Sequence, residues 1–361
     1  MWPNTEVSRR LGLAAPIIQG PFGSGLSAVD LVVAVCESGA LGSFGVHHLA
    51  AEGIREVAGQ IRSRTIRPFA LNLWIPLGDS DDPQLSDEQF LASRELLRPY
   101  FEQLGVSLPT RPRRFTPQYA GQVDAVLAAR PAVFSFICGV PSPDVVSRCR
   151  ELGIVTLGTA TTPAEARLLE SSGVDMVVAT GFEAGGHRVS FLKSAEESLM
   201  GTLSLVPQVV DAVSIPVVAA GGIADGRGVA AALTLGAQGV QIGTAFLACE
   251  ESAASPLHRE RLLSSEPTQT ALTRAFTGRL ARGIRNQFMD DMAPHASELA
   301  HYPVQAWLTA QLKGAALRSS RADLLALWSG QSAPLLRHSK ARQLVDALVT
   351  QTTEAFARIT Q

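Results

Sequence analysis

The run 216–247, PVVAAGGIADGRGVAAALTLGAQGVQIGTAFL, constrains this chain more than any other stretch. PVVAAGGI is short, apolar and rich in Val and small residues, and it stops at Gly221-Gly222; this predicts a buried parallel strand ending in a tight loop. The Ala and Leu residues of DGRGVAAALTLGA recur at helical spacing, and Gly236 closes that helix. GVQIGTAFL then predicts a second buried strand, interrupted at Gly243-Thr244 where its carboxyl end should lie. One glycine pair can serve merely to make a turn. Two, at the ends of consecutive parallel strands, leave backbone N–H groups with no side chain above them, and such groups bind anions. A phosphate site is therefore expected here.

In an eightfold β/α barrel the loops after strands seven and eight commonly hold a phosphate, so the position of this pair in the chain is a test. Strand-like and helix-like segments alternate along the chain with short connections. Residues 16–21 (PIIQGP) form the first expected strand, followed by a helix with Ser27 as N-cap and Gly39 near its end. Strand two is 41–46, with a helix over about 51–64, and strand three is 69–75. The rhythm then fails over 76–120, which carries a polar helix and the loop PTRPRRFTP; this is an insertion on the active-site face. It resumes with strands at 133–139, 154–160 and 176–181. The strands beginning at Pro216 and Gly239 are thus the seventh and eighth, where the phosphate reading requires them.

The expected fold is therefore a (β/α)8 TIM barrel, made of 1–75 and 121–265. After Leu247 the alternation stops, and amphipathic stretches near 256–263, 304–317, 322–328 and 340–359 predict a helical remainder. Together with the insertion, residues 266–361 are expected to cover the barrel mouth. A chain of 361 residues with 46% hydrophobic content suffices for one barrel plus such an appendage. The net charge of −2 gives no long-range pull toward nucleic acid or anionic membrane, and Arg111, Arg113 and Arg114 read as a solvated loop. SRRLGLAAPIIQG faintly resembles a twin-arginine signal, but Pro16 and Gln19 interrupt its apolar part; with no apolar run of membrane-spanning length, a cytoplasmic location is expected. Cys36, Cys138, Cys149 and Cys249 are scattered through apolar elements without a C-x-x-C, as reduced core thiols would be.

The sharpest chemical signal is the loop after strand six, TGFEAGGHRVSF. Gly181, Gly185 and Gly186 permit close approach of backbone to a ligand, and His187 follows them at the carboxyl end of the barrel, placed to act as a base or hydrogen-bond donor. Of the other six histidines, only His47 and His48 are expected near the mouth. Lys193, Lys313 and Lys340 are the only lysines, and none falls on a barrel strand, which argues against a Schiff-base enzyme. No spaced His/Asp/Glu cluster suggests a metal centre, and no G-x-S-x-G suggests a hydrolase. A phosphorylated cofactor that supplies the reactivity is the economical choice. The chain lacks a G-x-G-x-x-G on a strand-to-helix turn, so a mononucleotide is expected rather than a dinucleotide.

The segments PIIQGP, GFEAGGHR, the 216–247 run, FTGRLARGIRN and LWSGQ together resemble the nitronate monooxygenases, formerly 2-nitropropane dioxygenases, over about 16–349. The resemblance implies an FMN-containing barrel that oxidises alkyl nitronates with O2 to a carbonyl compound and nitrite. It places the flavin against Gly20, Pro21 and Phe22, with Asn72 and Thr180 as further contacts. It places the phosphate and ribityl chain near Gly185, Gly221, Gly222, Gln241, Ile242, Gly243 and Thr244. His187 matches the catalytic histidine, and Tyr302 and Phe22 match positions that shape the substrate pocket. Three positions depart from the family pattern: Phe22 stands for a usual Met, Thr180 for a usual Gln, and Val189 for a usual Gly. Two further readings stay open at this level: a related FMN barrel reduced by NAD(P)H, acting on a quinone or enoyl thioester, and a barrel that binds a phosphorylated ligand without redox chemistry.

Overall fold

The computed structural model describes residues 2–76, 85–264 and 269–359. Eight parallel strands form one sheet: β1 (Ile17–Gln19), β2 (Gly42–Gly45), β3 (Phe69–Trp74), β4 (Val133–Ile137), β5 (Val155–Ala160), β6 (Met176–Thr180), β7 (Val217–Ala220) and β8 (Gly239–Ile242). Their order in space is β1-β8-β7-β6-β5-β4-β3-β2, and the parallel bridge between Ile18 and Leu41 brings β1 back to β2. The sheet is thus the (β/α)8 barrel that the alternating sequence predicts.

Both faces of these strands are covered, so nearly every strand residue is buried and β6 (MVVAT) and β7 (VVAA) read as continuous apolar runs rather than as alternating ones. Ile18, Leu41, Ala70, Val133, Leu157, Met176 and Val218 form a buried cluster with Val7 and Leu11, so helix Glu6–Leu11 plugs the barrel near the amino ends of the strands. The register sets Gln19 beside Ile242, Gly45 beside Asn72 and Thr180 beside Ala220, so the carboxyl ends form one rim.

Ser27 does not cap its helix. The helix runs over Val29–Glu37 with Ala28 at its N-cap position and no side-chain cap. The Ser27 hydroxyl instead donates to the Phe22 carbonyl (2.8 Å) and accepts from the N–H groups of Phe22 (3.1 Å) and Gly45 (3.0 Å), tying the loop after β1 to the end of β2. Three backbone partners outweigh one cap bond.

The helix of the insertion is Asp87–Gln103, started by a capping box between Ser86 and Gln89; part of the preceding loop lies outside the described residues. It lies against helix Val304–Arg318, and Trp307 on that helix meets Phe90 and Phe115, so insertion and C-terminal region close over the rim together. The last helix, Ala341–Ile359, lies elsewhere. It packs outside the barrel on helices Gly226–Thr234 and Val29–Glu37, in the place of an eighth wall helix. Gly226 permits this contact: a Cβ there would sit 2.4 Å from both the Gln351 Cβ and the Thr352 nitrogen.

The remainder after Leu247 is not wholly helical. An antiparallel hairpin, Thr270–Thr273 with Ala281–Ile284, takes the two-residue strand Gly186–His187 as its third member. Of the stretch 322–328, only Ala322–Leu324 is helical, as a single 3₁₀ turn. The hairpin supplies the backbone pairing that fixes the histidine of the β6 loop.

Candidate active site

At the carboxyl rim a cleft of about 180 Å³ opens between the loops of β1, β3, β6, β7 and β8. Gly20, Pro21, Phe22, Asn72, Thr180, Gly185, Gly221, Gly222, Gln241, Gly243, Thr244 and His187 all line it, joined by Trp74, Ser135, Val189, Trp328 and Gly330. Ile242 does not. Strand alternation turns Gln241 inward and Ile242 outward, where its side chain is 1% exposed and its carbonyl accepts the Gly20 N–H at 2.8 Å. Tyr302 lies beyond the cleft, stacked on Trp74 at 5.3 Å.

Glycine is required at several of these positions for different reasons. A Cβ on Gly185 would lie 2.6 Å from the Gly330 nitrogen, and one on Gly181 would lie 2.0 Å from the Thr202 hydroxyl. Gly221 and Gly222 have φ of +99° and +72°. Gly243 differs: its Cβ would meet nothing nearer than the Phe22 ring at 3.9 Å. Among the described residues the N–H groups of Gly222, Gly243 and Thr244 meet no acceptor. Uncrowded glycine backbone with unpaired donors at the ends of β7 and β8 is what an anion-binding rim needs.

The β6 loop is held by three charges that the sequence reading passes over, two of them buried. Arg188 donates to the Gly181 (2.7 Å) and Thr180 (3.0 Å) carbonyls, and burial lowers its pKa to about 10. Glu183 accepts from the Thr202 N–H (2.9 Å) and hydroxyl (3.0 Å). Glu165, fully buried, accepts from Thr161 and from the N–H groups of Phe191 (2.7 Å) and Leu192 (3.2 Å). Carboxylates and guanidinium satisfied by backbone groups rigidify a loop, because removing one strands several buried polar partners.

His187 sits where this frame meets the hairpin, paired with Ala281. Its ring lies 4.8 Å from Trp74 and 5.3 Å from Trp328. Burial, and secondarily the nearby Arg279, lower its pKa to about 3, so the imidazole is neutral at pH 7. Nε2 is 2.9 Å from the Thr277 hydroxyl. The Thr277 hydroxyl carries one proton and has two acceptors within reach, Nε2 and the Arg279 carbonyl at 3.2 Å, so it holds the ring in place whichever imidazole nitrogen is protonated. The neutral imidazole keeps one ring nitrogen with a free lone pair, so it is an oriented group able to accept a proton.

Beyond His187, Trp74 and Trp328 a second cavity of about 500 Å³ lies under the insertion and helix Val304–Arg318. Phe115, Phe276, Tyr302, Trp307 and Leu327 give it apolar walls. His47 and His48 reach it as expected, with His47 stacked on Trp74 at 4.4 Å. His258 also lines it, although it comes from helix Pro256–Leu263 and gives no sequence signal; its Nε2 meets the Trp328 carbonyl at 3.0 Å. Trp74 and Trp328 form the partition between the two cavities. The only trace of their role in the sequence was their place inside FALNLWI and LWSGQ.

The nitronate monooxygenase profile matches residues 6–351. The chain belongs to the nitronate monooxygenase family. It is 38% identical over 352 residues to a probable nitronate monooxygenase of Staphylococcus aureus, covering 97% of this chain and 98% of that one, and 39% identical over 353 residues to one of Staphylococcus haemolyticus, with the same coverage. Among solved structures it is similar to nitroalkane oxidase from Streptomyces ansochromogenes, with a TM-score of 0.87 and 38% identity over 96% of this chain and 98% of that one. FabK from Thermotoga maritima follows at TM-score 0.75 and 26% identity, covering 99% and 98%. Membership makes this nitronate monooxygenase relative a flavin-dependent oxidoreductase. The cleft fits such a group: bare glycine backbone with unpaired N–H donors stands beside the Phe22 ring, and Asn72 and Thr180 line the same cleft. No described helix is long and apolar enough to cross a membrane, and no three His, Cys, Asp or Glu side chains among the described residues could together hold a metal ion.

Proposed function

We propose that this protein holds FMN noncovalently and oxidises alkyl nitronates with O2 to a carbonyl compound and nitrite. Two nitronates and one O2 give two carbonyl compounds and two nitrite ions, a balance that closes without a nicotinamide. In this reading Gly222, Gly243 and Thr244 hold the phosphate through their N–H groups. Gly20, Pro21, Phe22, Asn72 and Thr180 flank the ring system, and the insertion and C-terminal region enclose the substrate. A flavin held there would supply the electron transfer between nitronate and O2.

The carrying observation is the position and state of His187, a neutral, oriented imidazole at the partition between the nucleotide cleft and a larger chamber with aromatic walls. In this reading the apolar walls of the chamber receive the alkyl group. The free lone pair of the neutral His187 imidazole takes the α-proton when the substrate is a neutral nitroalkane; a pre-formed nitronate needs no such step. The likeness to a nitroalkane oxidase supports including the neutral substrate. Mixing the purified protein anaerobically with ethyl nitronate is expected to bleach the flavin, and NADH or NADPH is expected to leave it oxidised. The reverse result would favour the reductase reading, to which the likeness to FabK lends support.

A further inference from the structure

A nitronate is an anion, yet the histidine beside the proposed reaction site is neutral, so another group must meet the charge. A third cavity of about 350 Å³ shares Trp74, Tyr302 and His47 with the chambers already described, and its lining includes two arginines and no carboxylate. Arg274 is neutralised by Glu196 at 2.8 Å. Arg279 has no carboxylate within ion-pair distance among the described residues. Its guanidinium lies 4.7 Å above the Tyr302 ring and 5.7 Å from that of Trp74, and donates to the Cys138 sulfur at 2.9 Å.

The turn that carries Arg279 is built to hold it there. Gly278 has φ +76°, and a Cβ on it would lie 2.2 Å from the Ala300 carbonyl and 2.7 Å from the Tyr302 nitrogen. Only glycine lets the turn press against the segment that presents Tyr302. Thr277 binds His187 on one side and both backbone polar groups of Arg279 on the other. The cation is thus placed by the same turn as the base.

We propose that Arg279 is the anion-recognition residue of this enzyme, and that the cleft it lines is the path by which nitronate reaches His187. This rests on the nitronate reading. With a net charge of only −2, the protein exerts no strong field of its own on a small anion, so attraction must be local. A cleft bearing one unpaired charge between low-dielectric aromatic walls focuses the field and raises the association rate by roughly 10- to 1,000-fold, an effect that salt screens.

The test measures flavin reduction by ethyl nitronate and by neutral nitroethane in the holoenzyme at increasing NaCl. For wild type, kcat/KM for the nitronate should fall with salt. Arg279→Gln should lower that kcat/KM by about tenfold or more, lower kcat less, flatten the salt dependence, and affect nitroethane less than the nitronate. Arg279→Lys should restore the salt dependence. An unchanged salt slope in Arg279→Gln, or equal losses on both substrates, would overturn the proposal. Calorimetric titration with sodium nitrate, a planar anion that is not turned over, separates the two readings. Heat in wild type and Arg279→Lys but not in Arg279→Gln supports the anion site even if nitronate proves not to be a substrate. Equal nitrate binding in all three removes the site whatever the substrate.

Discussion

Replacing Gly243 by Asp tests the phosphate assignment without testing the fold. The backbone there has φ −100° and ψ −76°, which does not require glycine, and an added Cβ would meet only the Phe22 ring at 3.9 Å. A side chain therefore enters the cleft beside the unpaired N–H groups of Thr244 and Gly222 rather than the core. On the proposed binding mode its carboxylate lies on the order of 5 Å from a phosphate carrying about −1.5 to −2 charges; at an effective dielectric near 20 the repulsion is about 3 kcal/mol per unit charge. The expected loss of FMN affinity is at least ~100-fold. Gly243→Asn, equal in size and uncharged, isolates the electrostatic part and should weaken binding far less. Quenching of FMN fluorescence by cofactor-free protein gives both constants, and thermal melts of the cofactor-free variants should agree with wild type. If Asp and Asn weaken FMN equally, or if the Asp variant purifies with full flavin, the phosphate is not bound at Gly243.

His187→Asn should retain FMN and most activity on nitronates while losing roughly 10²- to 10⁴-fold on neutral nitroalkanes; equal collapse on both would show that the histidine binds rather than abstracts. His187 and His258 have pKa values lowered to about 3 and about 4, chiefly by burial, against 6.5 for an ordinary histidine, and His47 is also well below it. The stability they contribute is present above pH 6.5 and is lost as pH falls from there toward 4, at up to about 1.4 kcal/mol per pH unit per histidine; a urea midpoint that is flat from pH 7 to 4.5 would contradict this. The 500 Å³ chamber leaves room beyond an ethyl group, and each buried methylene is worth about 0.8 kcal/mol, so kcat/KM should rise up to roughly fourfold per carbon from ethyl to hexyl nitronate. A decline with length would mean that the chamber does not receive the alkyl chain. Gly226→Ala should lower stability by about 1–3 kcal/mol by forcing the last helix from the barrel wall, read by chemical denaturation; an unchanged midpoint would show that contact to be soft.

The barrel was legible because its strands and helices follow one another locally, and because a strand covered on both faces leaves a continuous apolar run. The rim glycines were legible for a related reason: the ends of β7 and β8 are close in sequence as well as in space. What sequence could not reveal depends on long-range partners. The hairpin strand Thr270–Thr273 has only partly buried residues, the second buries an arginine, and their third partner is a two-residue strand from another loop. Glu165, Glu183 and Arg188 read as ordinary surface charges until the distant backbone groups they satisfy are known. Ser27 is of the right type for an N-cap but does not cap, because Phe22 and Gly45 hold its hydroxyl. Ile242 entered the candidate site through a run of four consecutive residues, although a strand alternates.

In the proposed proton transfer, burial holds the pKa of His187 well below that of an ordinary histidine, so the imidazole is a weak base on its own. Each unit by which the carbon acid is the weaker acid costs about 1.4 kcal/mol when the proton moves to an isolated imidazole. The transfer is not isolated, because it creates an anion beside the cation it forms, and attraction between them in the low-dielectric partition recovers part of that cost. On this reading the protonated imidazole is favoured only while the nitronate stands beside it. Thr277 holds the ring in place throughout, through its hydroxyl at 2.9 Å from Nε2. An ordinary solvated histidine would be half protonated near pH 6.5 and would waste part of the enzyme in a form unable to take the α-proton. Burial against Trp74 and Trp328 removes that loss and leaves a base charged only while an anion stands next to it.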